Sequence, residues 1–234
     1  MNKTKIEWSD YSLNPVVGCT FGCAYCYAKR LNDRYRWIPD FSKPQFYEER
    51  LKKLDLKSPK VVFMDSMSDV ADWSDEAKEK VAEAMAKNNQ HTYLFLTKRP
   101  GKIQMPIEAC KYWLGVSITN QEDLDRINQL LFEEKYEKCF ISFEPLSGSI
   151  DLNQSNANLF DWFIIGAETG NRKARTRSDP SWVKSIVDYA SENHIPVFMK
   201  DSLVPVVGES NMLREYPKNI RNEKGEPLIG GNRL

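Results

Sequence analysis

Three cysteines near the start of the chain, Cys19, Cys23 and Cys26, have the spacing C-x3-C-x2-C. An aromatic residue, Tyr25, directly precedes the third of them. The chain has five cysteines in all, and an odd, clustered set does not suit a disulfide scaffold. The thiol cluster therefore predicts a metal site.

The number of clustered thiols bears on which metal they would bind. Structural zinc takes four ligands, usually as two separated pairs. The histidines, His91 and His194, are remote from the cluster, and no fourth ligand is evident. Three thiolates in one tight loop instead suit three irons of a cubane 4Fe-4S cluster, which leaves the fourth iron open. The other cysteines, Cys110 and Cys139, are isolated and predict ordinary packing.

The elements that must position this loop are visible as short apolar runs and helical periodicities. Six runs predict buried strands, at residues 61–64, 92–96, 113–118, 139–143, 162–166 and 195–199. Between them, apolar residues at i, i+3/i+4 and i+7 predict helices around residues 77–85, 124–131 and 183–190. Ser74, Asn120 and Asp179 are the expected N-caps of these helices, and Pro180 follows the last cap.

The apolar runs are continuous rather than alternating, which indicates strands buried on both faces of a parallel sheet. The sequence therefore predicts an α/β fold. Strand centres recur about 21 to 33 residues apart, the size of a strand–helix unit, and a first strand before Cys19 brings the count to about six to seven units. An eight-unit barrel typically needs about 250 residues, so a partial (open) (β/α) barrel fits 234 residues better. A doubly wound open sheet is the runner-up.

The composition is that of an ordinary globular chain. Hydrophobic residues at 41% and charged residues at 28% exclude a mainly disordered or fibrous protein. Lysine plus arginine and aspartate plus glutamate both number 33, so affinity for nucleic acid needs a local patch. The length favours a single domain over residues 1–234, with an irregular tail from about residue 216. The absence of a long apolar run or signal-peptide core predicts a cytoplasmic protein without a membrane partner.

The cysteine loop resembles that of the radical S-adenosylmethionine (radical SAM) superfamily, which has this spacing and an aromatic residue before the third cysteine. The wider sequence is similar to a branch of that superfamily often found in phage genomes. The similarity extends over most of the chain and is carried by residues 6–10, 14–15, 65–69, 96–100, 142–146 and 166–170.

The resemblance implies a partial (β/α) barrel of the radical SAM type, with Cys19, Cys23 and Cys26 holding one 4Fe-4S cluster after the first strand. S-adenosylmethionine would bind the open iron, and one electron would cleave it to methionine and a 5′-deoxyadenosyl radical that abstracts a hydrogen atom from the substrate. The protein would supply positioning and exclude water. An external one-electron donor of the flavodoxin or ferredoxin type is also implied.

The resemblance further implies contacts to S-adenosylmethionine from three places in the chain. The aromatic position before the third cysteine lies near the adenine. Many members hold the methionyl amine with a Gly-Gly-Glu segment after the second strand, where this chain has residues 65–69 and offers oxygen acceptors instead. The end of the strand predicted at 113–118 corresponds to the region that meets the ribose and carboxylate. The expected contacts are Tyr25, Ser66, Ser68, Asp69, Ser117, Thr119 and Asn120.

Charged residues follow several predicted strands, where a barrel has its active face. The candidates for the substrate pocket are Lys98, Arg99, Glu144, Glu168 and Lys200. Further basic residues follow the strand predicted at 162–166, and these are Arg172, Lys173, Arg175 and Arg177. This local excess of positive charge favours an anionic substrate such as a nucleotide or nucleic acid, and a solvated loop face is the alternative.

We therefore expect a radical SAM enzyme that acts on a nucleotide or nucleic-acid substrate. One alternative is a non-catalytic metal protein, either an iron–sulfur protein of electron transfer or regulation or a zinc-stabilised nucleic-acid-binding module. A further alternative is an enzyme that cleaves S-adenosylmethionine in another sense and transfers its methyl or aminocarboxypropyl group.

Overall fold

The computed structural model describes residues 2–103, 105–106, 112–132, 138–170 and 177–220. Within these ranges the α-helices are α1 (Tyr27–Tyr35), α2 (Asp75–Lys87), α3 (Asp125–Leu131), α4 (Pro180–Glu192) and α5 (Val204–Val207). In the same ranges no helix is long and apolar enough to cross a membrane.

The strands of the described residues are short at the start of the chain and longer after it. They are β1 (Asn2–Lys3), β2 (Tyr11–Ser12), β3 (Val16–Val17), β4 (Gln45–Phe46), β5 (Val61–Phe63), β6 (Thr92–Thr97), β7 (Tyr112–Ser117), β8 (Lys138–Phe143), β9 (Trp162–Ile165) and β10 (Val197–Met199). Single-turn 3-10 helices connect many of them.

The chain divides into two compact units. The first includes Met1–Thr97 and Lys102–Trp113, and the second includes Lys98–Gly101 and Leu114–Arg221. The expectation of a single domain over residues 1–234 stays a prediction. Most of the predicted irregular tail, residues 221–234, lies outside the described residues.

The first unit is built on a mainly parallel sheet with the strand order β1-β2-β5-β6. Tyr11 of β2 lies opposite Val62 of β5, which in turn lies opposite Tyr93 of β6, and only β1 at the edge is antiparallel. The strands β3 and β4 form a separate antiparallel pair. Helix α2 packs against the 3-10 segment Glu48–Leu54 and buries one face, because its apolar side chains recur at helical spacing.

The second unit has the strand order β7-β8-β9-β10, and β7 belongs to it from Leu114 onward. In the parallel ladder of its last three strands, Phe143 lies opposite Ile165, and Ile165 lies opposite Met199. Helix α4 covers one face of this sheet through Tyr189, whose ring stacks on Phe163 with centroids 6.4 Å apart. The strands β8 and β9 are joined by the 3-10 turns Leu152–Gln154 and Ala157–Leu159 instead of an α-helix.

The structure confirms the α/β prediction and the six predicted strands, which are β5 to β10. Within each unit neighbouring strands follow the order of the chain, whereas a doubly wound sheet would require a reversal. The predicted first strand before Cys19 is split into β2 in the main sheet and β3 outside it. Continuous burial explains why the apolar runs were informative, since every residue of β5, β7 and β9 is buried.

Two of the three predicted caps are confirmed. Ser74 and Asp179 accept hydrogen bonds from Ala77 N–H and Ser181 N–H at the start of α2 and α4. The prediction for Asn120 was wrong in detail, because it caps the 3-10 turn Gln121–Asp123 and not α3 itself.

Candidate functional site

The cysteine loop joins β3 to α1 in the first unit. Its entry is held by two backbone hydrogen bonds, from Gly18 N–H to Met67 C=O at 3.0 Å and from Cys19 N–H to Phe41 C=O at 2.8 Å. A β-bridge also joins Gly18 to Ser68. The first cysteine is therefore fixed against the segment that follows β5.

Glycine is required immediately before the first cysteine. Gly18 has φ of +115°, a conformation that residues with a side chain rarely adopt. A Cβ atom at this position would lie 2.8 Å from Cα of Pro44 and 2.9 Å from the carbonyl oxygen of Phe41. Both atoms belong to the backbone and cannot move aside easily, so the loop enters the site through a gap that only glycine fits.

Backbone N–H groups donate to two of the three sulfur atoms. Phe21 N–H donates to Cys19 Sγ at 3.4 Å. Cys26 is the N-cap of α1, and its Sγ accepts from Lys29 N–H at 3.3 Å. The positive end of the helix dipole therefore faces a sulfur, which favours negative charge there.

The three cysteines are half-buried, and none of them is in a disulfide. Cys19 and Cys26 pack against a buried apolar cluster made of Val17, Ala28, Ile38, Phe41 and Met67. Apolar surroundings and hydrogen bonds to sulfur are the means by which proteins tune iron–sulfur clusters. The donor set of this loop therefore fits the cluster predicted from the sequence.

The described residues contain no group of three His, Cys, Asp or Glu side chains arranged to hold one metal ion. A cubane cluster does not require three side chains around one metal ion, because each thiolate binds a different iron.

The segment after β5 is fastened to the cysteine loop by side chains as well. Asp72 accepts from both the N–H and the hydroxyl of Thr20, the residue after Cys19. The hydroxyl of Tyr27 donates to the carbonyl oxygen of Ser66 at 2.5 Å. The structure thus joins residues 66–69, where the resemblance implies cofactor contacts, to the cysteine loop.

Each of the predicted acceptors in this segment also has a structural partner. Ser66 Oγ donates to Asn14 Oδ1 at 3.0 Å, and Ser68 Oγ accepts from Trp73 Nε1 at 2.9 Å. Asp69 is buried, caps the 3-10 turn Val70–Asp72 and accepts from the Thr97 hydroxyl at 2.7 Å. The half-buried serines are therefore better placed to meet a ligand than Asp69 is. Tyr25, between the second and third cysteines, is also half-buried.

Sequence reasoning missed a second acid in the same segment. The carboxyl group of Asp65 is buried at the end of β5 and accepts from Leu96 N–H, at 3.1 and 3.2 Å to its two oxygens. Burial, and then the charge of Asp69, raise the pKa of Asp65 well above its usual value. An acid directly after the apolar run 61–64 was the signal that could have found it.

The other predicted cofactor contacts, Ser117, Thr119 and Asn120, lie in the second unit at the end of β7. The N–H and hydroxyl of Thr119 both donate to Asp123, at 2.8 and 2.7 Å. The carbonyl oxygen of Ser117 accepts from Arg126 at 2.9 Å. Ser117 and Thr119 are buried, and Asn120 is half-buried with its side chain used as a cap.

Two of the predicted pocket residues in the second unit form an ion pair. Lys200 Nζ donates to Glu144 Oε1, and the two side chains are only 16% and 27% exposed. A Cβ on Gly166, directly after the intervening strand β9, would lie 3.1 Å from the Cδ atoms of both side chains. Glycine at this position therefore leaves room for the pair to cross the sheet.

The remaining candidates are spread more widely. Glu168 is buried, and Lys98 and Arg99 are half-buried after β6. Arg177 is exposed, whereas Arg172, Lys173 and Arg175 lie outside the described residues.

The structure adds Ser142, a fully buried hydroxyl on β8 without a hydrogen-bond partner in the described part of the chain. A serine inside the apolar run 139–143 was its signal in the sequence.

The fold and the site define an α/β protein with a three-cysteine loop fixed beside the end of a buried strand. The chain belongs to the family DUF5131, described as a protein of unknown function, which matches residues 3–229. No curated protein matches the chain, and no solved structure matches it either.

Proposed function

We propose that this protein is a radical SAM enzyme that binds one 4Fe-4S cluster through Cys19, Cys23 and Cys26. The observation that carries the proposal is the attachment of the cysteine loop to the segment after β5. Backbone bonds at Gly18, the Thr20–Asp72 contact and the Tyr27–Ser66 contact all join the two. These contacts support the proposal that the thiols and the segment expected to meet S-adenosylmethionine act as one site.

When bound, a cubane with an open iron supplies a binding place for S-adenosylmethionine and the electron that cleaves it to methionine and a 5′-deoxyadenosyl radical. The chain contributes the positions of the ligands. Gly18 sets the entry of the loop, and the N–H groups of Phe21 and Lys29 stabilise charge on two sulfurs. Ser66 and Ser68 offer oxygen atoms in the segment that is joined to the loop.

The strand order also supports this proposal. Within each unit the neighbouring parallel strands follow the order of the chain, as they do in a barrel. The finer assignment, a partial (β/α) barrel of the radical SAM type, is part of the proposal.

The proposal includes an external one-electron donor of the flavodoxin or ferredoxin type and an anionic substrate, a nucleotide or nucleic acid. Lys98 and Arg99 follow a buried strand and support the choice of an anion. Glu144 directly follows β8 and Lys200 directly follows β10, so the pair presents an acceptor beside a donor at the ends of these two strands. Such a pair suits a substrate group that also has a donor next to an acceptor, as nucleobase edges do.

The first test is electron paramagnetic resonance of anaerobically reconstituted, dithionite-reduced protein with and without S-adenosylmethionine. We expect a reduced-cubane signal that shifts when S-adenosylmethionine is added. The signal should be lost in Cys23→Ala and kept in Cys139→Ala, which removes a cysteine remote from the loop in sequence.

Other outcomes would replace the proposal. A strong signal that S-adenosylmethionine does not move would indicate electron transfer or regulation. Stoichiometric zinc without iron would indicate a zinc-stabilised module. Product analysis then separates 5′-deoxyadenosine, the expected product, from the products of methyl or aminocarboxypropyl transfer.

A further inference from the structure

Exposed aromatic side chains are concentrated in one short part of the chain. In the described ranges seven large hydrophobic side chains are exposed, and four of these lie between residues 21 and 37. Tyr35 is 54% and Trp37 45% exposed, and their rings stack with centroids 5.5 Å apart and planes 22° apart. Adjacent exposed rings form an apolar patch, and such patches mark interaction sites more often than single exposed hydrophobic residues do.

Three arginines lie near this ring pair along the chain. Arg30 and Arg34 lie on α1, and Arg36 directly follows its last residue. The guanidinium of Arg34 lies 5.3 Å from the ring centroid of Tyr35. The nearby acid Asp33 pairs with Lys29 at 2.9 Å, and no described carboxylate forms an ion pair with the three arginines. The positive charge is therefore not neutralised locally.

The arrangement is fixed by the end of the helix. Arg36 has φ of 54°, the left-handed conformation of a C-cap, and its N–H donates to Asn32 C=O at 2.7 Å. The buried Asn32 exchanges two hydrogen bonds with the backbone of Ile38, both 3.0 Å long. Glycine is the usual residue at such a cap, so the arginine there provides a charge at some conformational cost.

We propose that Arg30, Arg34, Tyr35, Arg36 and Trp37, here called the basic–aromatic surface, bind single-stranded nucleic acid. Stacking rings with guanidinium groups beside them are the combination that holds unpaired bases and their phosphates. The whole chain has no net charge, so this local excess is what directs an anion to the surface. A duplex keeps its bases stacked inside and should bind more weakly.

The surface is on the helix that begins at a predicted cluster ligand. Helix α1 has nine residues after its cap Cys26, which corresponds to about 13 Å. A nucleic-acid strand bound along the surface would therefore lie within about the length of α1 from the cysteine loop. The role of this surface as a substrate site rests on the proposed function. The binding of nucleic acid itself requires no cluster.

The test is fluorescence anisotropy of the full-length protein with labelled single-stranded DNA and RNA of about 16 nucleotides, over a potassium chloride series. Trp37→Ala should weaken binding about 5- to 150-fold, the effect of removing the stacking partner of one base. The triple variant Arg30→Gln/Arg34→Gln/Arg36→Gly should also reduce the salt slope, by about 0.7 for each phosphate that the protein no longer neutralises. Glycine is compatible with the left-handed cap, so folding should be preserved.

Matched controls remove the same chemistry elsewhere. Phe132→Ala deletes a ring that is 85% exposed in the second unit, and Lys52→Gln/Lys53→Gln/Lys57→Gln removes three exposed charges in the first. Both controls should bind like the wild type. Absence of binding by the wild type, equally weakened binding in the controls, or an unchanged Trp37→Ala protein would overturn the inference.

Two further measurements separate this inference from the proposed function. Cys23→Ala should bind the single strands normally while losing cleavage of S-adenosylmethionine. If the wild type does not bind nucleic acid and the surface variants only slow reduction by an acidic flavodoxin, the surface binds a protein donor and the inference fails.

Discussion

The carboxylate of Asp72 accepts two hydrogen bonds from Thr20, one from its N–H at 2.8 Å and one from its hydroxyl at 2.7 Å. Since Thr20 directly follows Cys19, this contact holds the first cysteine of the loop against the 3-10 turn after β5. Asp72→Ala should lower the free energy of unfolding by about 1 to 2 kcal/mol. It should also reduce the iron bound per chain after reconstitution.

Asp75→Ala is the matched control for that variant. It makes the same change three residues later, at a side chain that is 97% exposed. Iron content measured by chelation should stay at the wild-type level in this control. Equal iron content in Asp72→Ala and the wild type would show that the Thr20 contact does not position the loop.

Gly18 should tolerate substitution much less well than the other loop glycine. Gly18→Ala combines an unfavourable φ with backbone atoms 2.8 and 2.9 Å from the new Cβ, and should cost about 2 to 4 kcal/mol. Gly22 has φ of +74° but open space around it, so Gly22→Ala carries only the conformational cost, about 1 kcal/mol. Urea denaturation of both variants measures the difference, which should vanish if space at Gly18 is unimportant.

The strands were predictable because burial on both faces leaves a continuous apolar run, as in Trp162–Ile165. Helix α1 was not predicted, since Tyr27–Tyr35 is mostly polar and buries only Ala28 and Asn32. It is fixed instead by the Cys26 cap and by the bonds between Asn32 and Ile38. Contacts of this kind leave no periodic pattern in the sequence.

The candidate site was predictable to a similar extent. The spacing of the three cysteines is local and can be read directly. The partners that hold the loop are not, because Asp72 is 52 residues from Thr20. Asp65 and Asp69 also look alike in the sequence, and only the fold determines that the Asp65 pKa is raised.

Asp65 should make stability depend on pH. Because its pKa is raised in the folded state, its contribution is full below the unfolded value of 3.8 and is lost as the pH rises through the folded pKa. Asp65→Asn cannot ionise and keeps an oxygen for Leu96 N–H. The variant should therefore be more stable than the wild type at neutral pH, and the difference should shrink as the pH falls towards about 4.

Urea denaturation over this pH range measures whether Asp65→Asn is more stable than the wild type and how the difference changes with pH. Asp40→Asn is the control, because hydrogen bonds from Ser42 lower the pKa of exposed Asp40. Its carboxylate contributes stability above the unfolded value, so the substitution should have the opposite pH dependence. A parallel response of the two variants would contradict the assignment to Asp65.

The Glu144–Lys200 pair should show measurable coupling. Its side chains are 27% and 16% exposed, so solvent screens the charges less than at an open surface. A double-mutant cycle with Glu144→Gln and Lys200→Met should give about 1 to 2 kcal/mol in the free energy of unfolding. The exposed pair Lys184–Asp188, one helical turn apart, should give only about 0.3 to 0.5 kcal/mol. Equal coupling in the two cycles would mean that burial of the first pair has no energetic effect.

Cys139 should differ from the loop cysteines in its reactivity. Burial, together with the charge of Asp161, raises the pKa of Cys139 to about 12, and the residue is only 8% exposed. Only the thiolate reacts with iodoacetamide, so this cysteine should remain unmodified at pH 8 in the folded protein. The half-buried Cys19, Cys23 and Cys26 should be alkylated in protein without metal and protected after reconstitution with iron and sulfide. Peptide mass spectrometry follows each site, with protein unfolded in urea as the control in which Cys139 reacts. Labelling of Cys139 as fast as the loop cysteines in the folded protein would contradict its burial.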